Sequence, residues 1–185
     1  MSRLAAIFAL FLPSAGLAQD LPAPDAVFPL VNADEAKLGQ LLFFDPILSG
    51  NKTVSCATCH HPRFATSDGL SLGIGEGGSG IGTDRVVGDL NLPEQRIPRN
   101  SPALFNLGAS EFNTMFHDGR VQKDIRQIYG VRTPLGEDMT KGFASILSAQ
   151  AMFPVFSADE MAGHLSENDI SQAVRQGFIS GPNGV

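Results

Sequence analysis

The two cysteines of this 185-residue chain both fall in Cys56-Ala57-Thr58-Cys59-His60. Thiols three residues apart on one helical turn can each add to one vinyl group of a haem. The histidine that follows is then placed under the ring to ligate the iron. The same pair could instead form a structural disulfide, a redox dithiol or half of a zinc site. A dithiol does not need the histidine, and a zinc site would want a second ligand pair. Covalent haem c is therefore the expected cofactor, attached through Cys56 and Cys59, with His60 as proximal ligand of the iron.

The start of the chain supports this. Residues 1–18 read as a signal peptide: Arg3 is a short positive region, Leu4 to Leu12 an apolar core, and Gly16-Leu17-Ala18 a small-residue cleavage site. That apolar run is too short for a stable membrane span, and no later run is long enough. An exported, periplasmic protein is expected, because haem c is attached outside the cytoplasm. Losing Arg3 with the leader takes the formal net charge from -6 to -7, so nucleic acid is an unsuitable partner. An acidic surface would steer a basic electron donor, although solubility alone explains it equally well.

Charged residues make up 17% of the chain, beside 20 glycines and 12 prolines, which suits a loop-rich fold wrapped around a cofactor. Residues 19–31 are proline-rich and read as a flexible lead-in segment. A first helix is expected from Asn32, capped with Glu35, carrying a stripe of Leu38, Leu41 and Leu42 and ending at Asp45-Pro46. From Ser67 to Pro98 the sequence reads as loop, its cluster of Gly73, Gly75, Gly77, Gly78, Gly80 and Gly82 a flexible cover for one haem face. No strand precedes it, so a phosphate-binding loop is disfavoured. Helical spacing returns over Val121 to Tyr129, over Phe143 to Phe153 up to Pro154, and at Ile170, Val174 and Phe178. Ser157 with Glu160, and Ser166 with Asp169, are cap signals. No alternating strand of useful length emerges. The expected fold is all-α, a cytochrome c-like haem domain over residues 32–185, with long loops and little or no β-structure.

Around the haem motif, the order of short segments resembles the bacterial di-haem cytochrome c peroxidase family, which includes a methylamine-utilisation branch. The segments are Leu38-Gly39, Leu42 to Pro46, Leu48-Ser49-Gly50, Arg99 to Pro102, Leu104 to Asn106, Phe116 to Arg120, Met152 to Pro154 and Asp159 to Gly163. The resemblance implies an N-terminal peroxidatic domain. A second haem domain, which would relay electrons from a small cytochrome c or copper protein, is missing, so the chain is expected to be truncated. A true single-haem relative is the alternative.

On the same resemblance, His60 is the proximal ligand, and Gln127 and Glu137 are the polar pair of the distal pocket. A carboxylate there can take a proton from the near oxygen of hydrogen peroxide and return it to the far one, while the amide orients the substrate. From the residues alone, Glu137 is a solvated loop acid. Asn100 resembles a ligand of an interdomain calcium, its amide oxygen suiting a hard cation; a plain turn residue is the other reading. Well-known members carry a capping histidine in the loop before Arg99, yet none lies between Ser67 and Asn100. The usual tryptophan before Asp118 is His117, and the chain has no tryptophan. His61 reads as solvated, and His164 has no assigned role.

The expected activity is a periplasmic cytochrome c peroxidase, with hydrogen peroxide and a small electron-donor protein as partners and a homodimer as one assembly. Two alternatives stand beside it. One is a protein-modifying oxidase of the methylamine-utilisation type. The other is a simple electron-carrier cytochrome, for which Met115, Met139, Met152 and Met161 are formal second axial ligands.

Overall fold

Asn32 caps the first described helix, its side-chain oxygen accepting from the amides of Asp34 (2.9 Å) and Glu35 (3.2 Å). Helix α1 then runs Ala33–Phe44. The computed structural model describes residues 27–89, 91–164 and 167–175. The leader, Ser166 and Phe178 lie outside the described residues. Asp45, held in extended backbone before Pro46, ends α1 and caps a 3-10 turn over Pro46–Leu48. The boundaries of α1 follow the sequence, but its packing does not. No residue of α1 is buried, and Leu38, Leu41 and Phe44 are each more than half exposed.

The remaining helices are short: α2 Cys56–Cys59, α3 Ile146–Gln150, α4 Phe153–Phe156 and α5 Asp169–Arg175. Between them lie five short strands in two antiparallel sheets. β1 (Gly78–Ser79) pairs with β2 (Val86–Val87), placing Gly78 opposite Val87. The second sheet is a meander of β3 (Thr114–Met115), β4 (Val121–Lys123) and β5 (Val131–Arg132), with Met115 opposite Val121 and Gln122 opposite Arg132.

The all-α expectation is therefore wrong: the structure is low in helix (32%), and two small antiparallel sheets are present among the described residues. The reason is visible at Val121 to Tyr129, where a helix was expected. Asp124 accepts from the Arg126 amide (3.1 Å), and its own amide donates to the Gly130 carbonyl (2.9 Å). Gly130 sits at φ +70. An aspartate that bonds its own downstream backbone competes with the helix ladder, so the segment turns back as a hairpin. The Phe143 to Phe153 pattern survives in part. Ser145 caps α3 through the Ser148 amide (3.1 Å), and Pro154 opens α4 instead of only stopping the run.

The hydrophobic core lies between the meander and α3–α4. Met115, Val121, Val131, Met139, Ile146, Ala149 and Phe153 are buried there, with Phe116 edge-on to Phe153 at 5.2 Å.

The glycine-rich loop is pinned rather than loose. Arg85, 5% exposed, donates from Nε to the Ile74 carbonyl (2.6 Å), from Nη1 to Gly80 (2.8 Å) and from Nη2 to Gly75 (2.6 Å). Beside it the buried Glu76 accepts from Asn51 Nδ2 (3.0 Å) and Thr53 Oγ1 (3.0 Å). Gly75 also packs where no side chain fits, since a Cβ there would lie 2.2 Å from the Asp159 carbonyl oxygen. That oxygen accepts from the Glu76 amide at 2.9 Å, so the loop is tied to the Asp159 turn.

Candidate haem-binding site

Helix α2 is a single turn because its capping is local. Ser55 and Thr58 close a capping box, the Ser55 amide donating to Thr58 Oγ1 at 3.0 Å. The turn ends where the His60 amide donates to the Cys56 carbonyl (2.9 Å). Cys56, Cys59 and His60 then line one open cavity of about 220 Å³. Its other walls are largely apolar: Phe43 from α1, Val54, Ile97 and Leu104 from the loops, and Leu147 and Pro154 from α3–α4.

His60 is held in a defined tautomer. Its Nδ1 lies 3.0 Å from the Thr66 carbonyl oxygen, which can only accept, so Nδ1 carries the proton and Nε2 keeps its lone pair. A metal-binding histidine needs such an arrangement. Burial pushes the Cys59 thiol up to about 11; Arg85 opposes this, while Asp68, Glu160 and Cys56 add to it. The Cys56 thiol is also raised by burial. Both stay neutral, which disfavours a thiolate redox pair. Among the described residues no group of three or more histidine, cysteine, aspartate or glutamate side chains could hold a metal ion, so a zinc site has no further ligands. Two thiols and a free imidazole nitrogen facing one apolar cavity fit haem c.

One residue of the cavity wall, Glu160, gave no chemical signal in the sequence. Ser157 to Gly163 forms a π-helical turn over Ala158–Ala162, in which the Ser157 carbonyl accepts from both Met161 (3.0 Å) and Ala162 (2.9 Å). The wide turn sets Glu160 and Met161 in the cavity wall. Burial raises the Glu160 carboxyl above its ordinary value; a Ser157 hydrogen bond opposes this and Asp159 adds to it. In the sequence Glu160 reads only as a cap partner. Of the four methionines considered as iron ligands, Met161 lines the cavity, whereas Met115 and Met139 are buried in the core and Met152 packs against it.

Gln127 and Glu137 do come together, in a different place. Both line a second cavity of about 200 Å³ with Val131, Arg132, Thr133 and Thr140, and both are exposed. Gln127 sits in the β4–β5 turn, and Glu137 lies in a 3-10 turn over Gly136–Met139. The two cavities share no lining residue. Asn100 is exposed, with Oδ1 accepting from Ser67 Oγ at 3.4 Å. His117 is exposed, and His61 Nδ1 caps a 3-10 turn by accepting from the Arg63 amide (3.1 Å). His164 is 15% exposed, with Nε2 3.5 Å from Asp159 Oδ1 and Nδ1 3.7 Å from Glu94 Oε1.

Residues 33–177 match the family model described as di-haem cytochrome c peroxidase. The chain belongs to that family. It is 36% identical over 140 residues to methylamine utilization protein MauG of Paracoccus denitrificans, covering 70% of this chain and 32% of that protein. It is 36% identical over 178 residues to a cytochrome-c peroxidase of Denitromonas iodatirespirans, covering 88% of this chain and 43% of the other. A cytochrome c551 peroxidase of Pseudomonas aeruginosa is 34% identical over 109 residues, 56% of this chain and 26% of its own. The chain thus spans less than half the length of these relatives. No helix among the described residues is long and apolar enough to cross a membrane.

Proposed function

We propose that this chain carries the peroxide-reacting haem of an exported cytochrome c peroxidase. The observation that carries the reading is the convergence of Cys56, Cys59 and the free Nε2 of His60 on one apolar cavity. Haem c held there would supply an iron centre that binds hydrogen peroxide and exchanges electrons with a small donor protein in the periplasm. The apolar walls exclude water from that centre. The Thr66 carbonyl keeps His60 Nδ1 protonated and the imidazole oriented. By the family resemblance, Gln127 and Glu137, although they line a separate cavity, would handle the substrate's protons, the amide orienting peroxide and the carboxylate moving a proton between its oxygens. Asn100, on the exposed rim, offers its amide oxygen to calcium.

Glu160 makes the acid/base assignment testable, because it lines the cavity of Cys56, Cys59 and His60 while Glu137 lines a separate one. In the haem-loaded full chain, peroxide-dependent oxidation of a reduced cytochrome c should fall about 10²- to 10⁴-fold in Glu137→Gln. Glu160→Gln should stay near wild type. The reverse pattern would transfer the proton role to Glu160.

A second reading, oxidation of a partner protein's side chains, is favoured by the similarity to MauG and by the lack of histidine between Ser67 and Asn100. Peroxide added with a candidate partner would then leave a mass change on the partner and little oxidation of the cytochrome.

A further inference from the structure

Thr66 does two things at once in a backbone conformation that its residue type disfavours. Its φ is +60, and Ala65 before it is also left-handed at φ +54. A β-branched residue rarely adopts this region, and the sequence could have placed glycine there. The conformation turns the Thr66 carbonyl towards His60 Nδ1 at 3.0 Å. Meanwhile its Oγ1 accepts from the Leu104 amide at 2.8 Å. Next to it, Ser67 Oγ donates to the Ser101 carbonyl at 2.7 Å. Ser101 and Leu104 both line the haem cavity. Thr66 therefore links the ligand's back side to the opposing loop, and glycine could supply only the first of these contacts.

We propose that Thr66 is a positioning residue: its hydroxyl, fastened to the Leu104 amide, holds its own strained carbonyl on His60 Nδ1 and so sets how strongly His60 donates to the iron. This rests on the haem reading given above. A firm hydrogen bond to Nδ1–H gives the imidazole more anionic character, which favours the ferric state. Without the Oγ1 anchor the carbonyl is free to swing, the bond weakens, and the reduced state gains.

The test uses the exported, haem-loaded full chain with substitutions at Thr66. Thr66→Ala removes the anchor, and Thr66→Gly removes it while relieving the left-handed strain. Thr66→Ser restores the oxygen. Mass spectrometry checks covalent haem, potentiometry reads the iron, and proton NMR follows solvent exchange at His60 Nδ1. In the alanine and glycine variants the midpoint potential should rise. Exchange should accelerate about fivefold to tenfold, the Boltzmann equivalent of weakening one hydrogen bond. Serine should match wild type. Alanine and glycine variants that carry haem with unchanged potential and exchange would overturn the proposal. A wild-type chain that gains no covalent haem would instead overturn the haem reading, and with it the ligand that Thr66 is said to hold.

Discussion

Arg85 and Glu160 are the two side chains on which the haem-side loops most depend. Arg85 satisfies three carbonyls, those of Ile74 and Gly75 in buried hydrogen bonds, in a fork that lysine cannot reproduce. Arg85→Met should cost about 3 kcal/mol in denaturant unfolding, and Arg85→Lys should recover only part of it. Glu160 makes a different demand. Because its folded pKa lies above the ordinary 4.5, its contribution to folding is full below that value and fades as the pH rises through the raised one. Urea midpoints from about pH 4 to about pH 8 should therefore show a downward component that Glu160→Gln removes. Equal slopes in the two proteins would show that the carboxyl is not held neutral. Asp124 works in the opposite sense. Arg126 hydrogen bonds hold it at about 2, so its stabilising effect is present above 3.8 and is lost as the pH falls towards 2.

At the scale of elements, the glycine loop and the π-helical turn act as one wall. Gly75→Ala would push a methyl group against the Asp159 carbonyl and the Glu160 Cα, 2.7 Å away, both of them backbone. The wall must then open, with a loss of about 1–3 kcal/mol in thermal unfolding; an unchanged melting temperature would show that the two segments are not packed together. The elements also explain what could be read beforehand. Asn32, Asp45 and Pro46 act within one turn of their own positions, so α1 and its limits were legible. So was the haem motif, whose spacing is itself the chemistry. The strands of the meander have two or three residues each, too few for alternation to register. Ile125 and Ile128 mimicked a helical face, yet both stand exposed on a turn fixed by Asp124. Nothing local marked Arg85, Thr66 or Glu160: Arg85 owes its role to carbonyls of an irregular loop, Thr66 to the Leu104 amide far along the chain, and Glu160 to a cavity.

The whole molecule divides its apolar material unevenly. One hydrophobic core lies behind the meander, while the walls around Cys56 and Cys59 face an open cavity of about 220 Å³. On the haem reading proposed above, the cofactor would complete that second core. Cys56→Ala with Cys59→Ala, which prevents attachment, should lower the melting temperature by on the order of 10 °C and expose dye-binding apolar surface. A melting temperature equal to that of the loaded chain would mean that the cavity is not a cofactor seat. Another feature spans the same distance. Asn51 Nδ2 donates to Glu167 Oε2 (2.7 Å), and Asn168 Nδ2 donates to Asn51 Oδ1 (2.9 Å), contacts 116 and 117 residues apart in the chain. Closing so long a loop is slow and entropically unfavourable, whereas the meander closes over short hairpins. The Asn51 contact is then a late event in folding, and Asn168→Ala should speed unfolding while leaving the folding rate nearly unchanged. Until Glu167 and Asn168 dock, the segment that carries both thiols is held by nearer contacts, Asn51 and Thr53 to Glu76 and His60 to Thr66, and lacks its tie to the far end of the described chain.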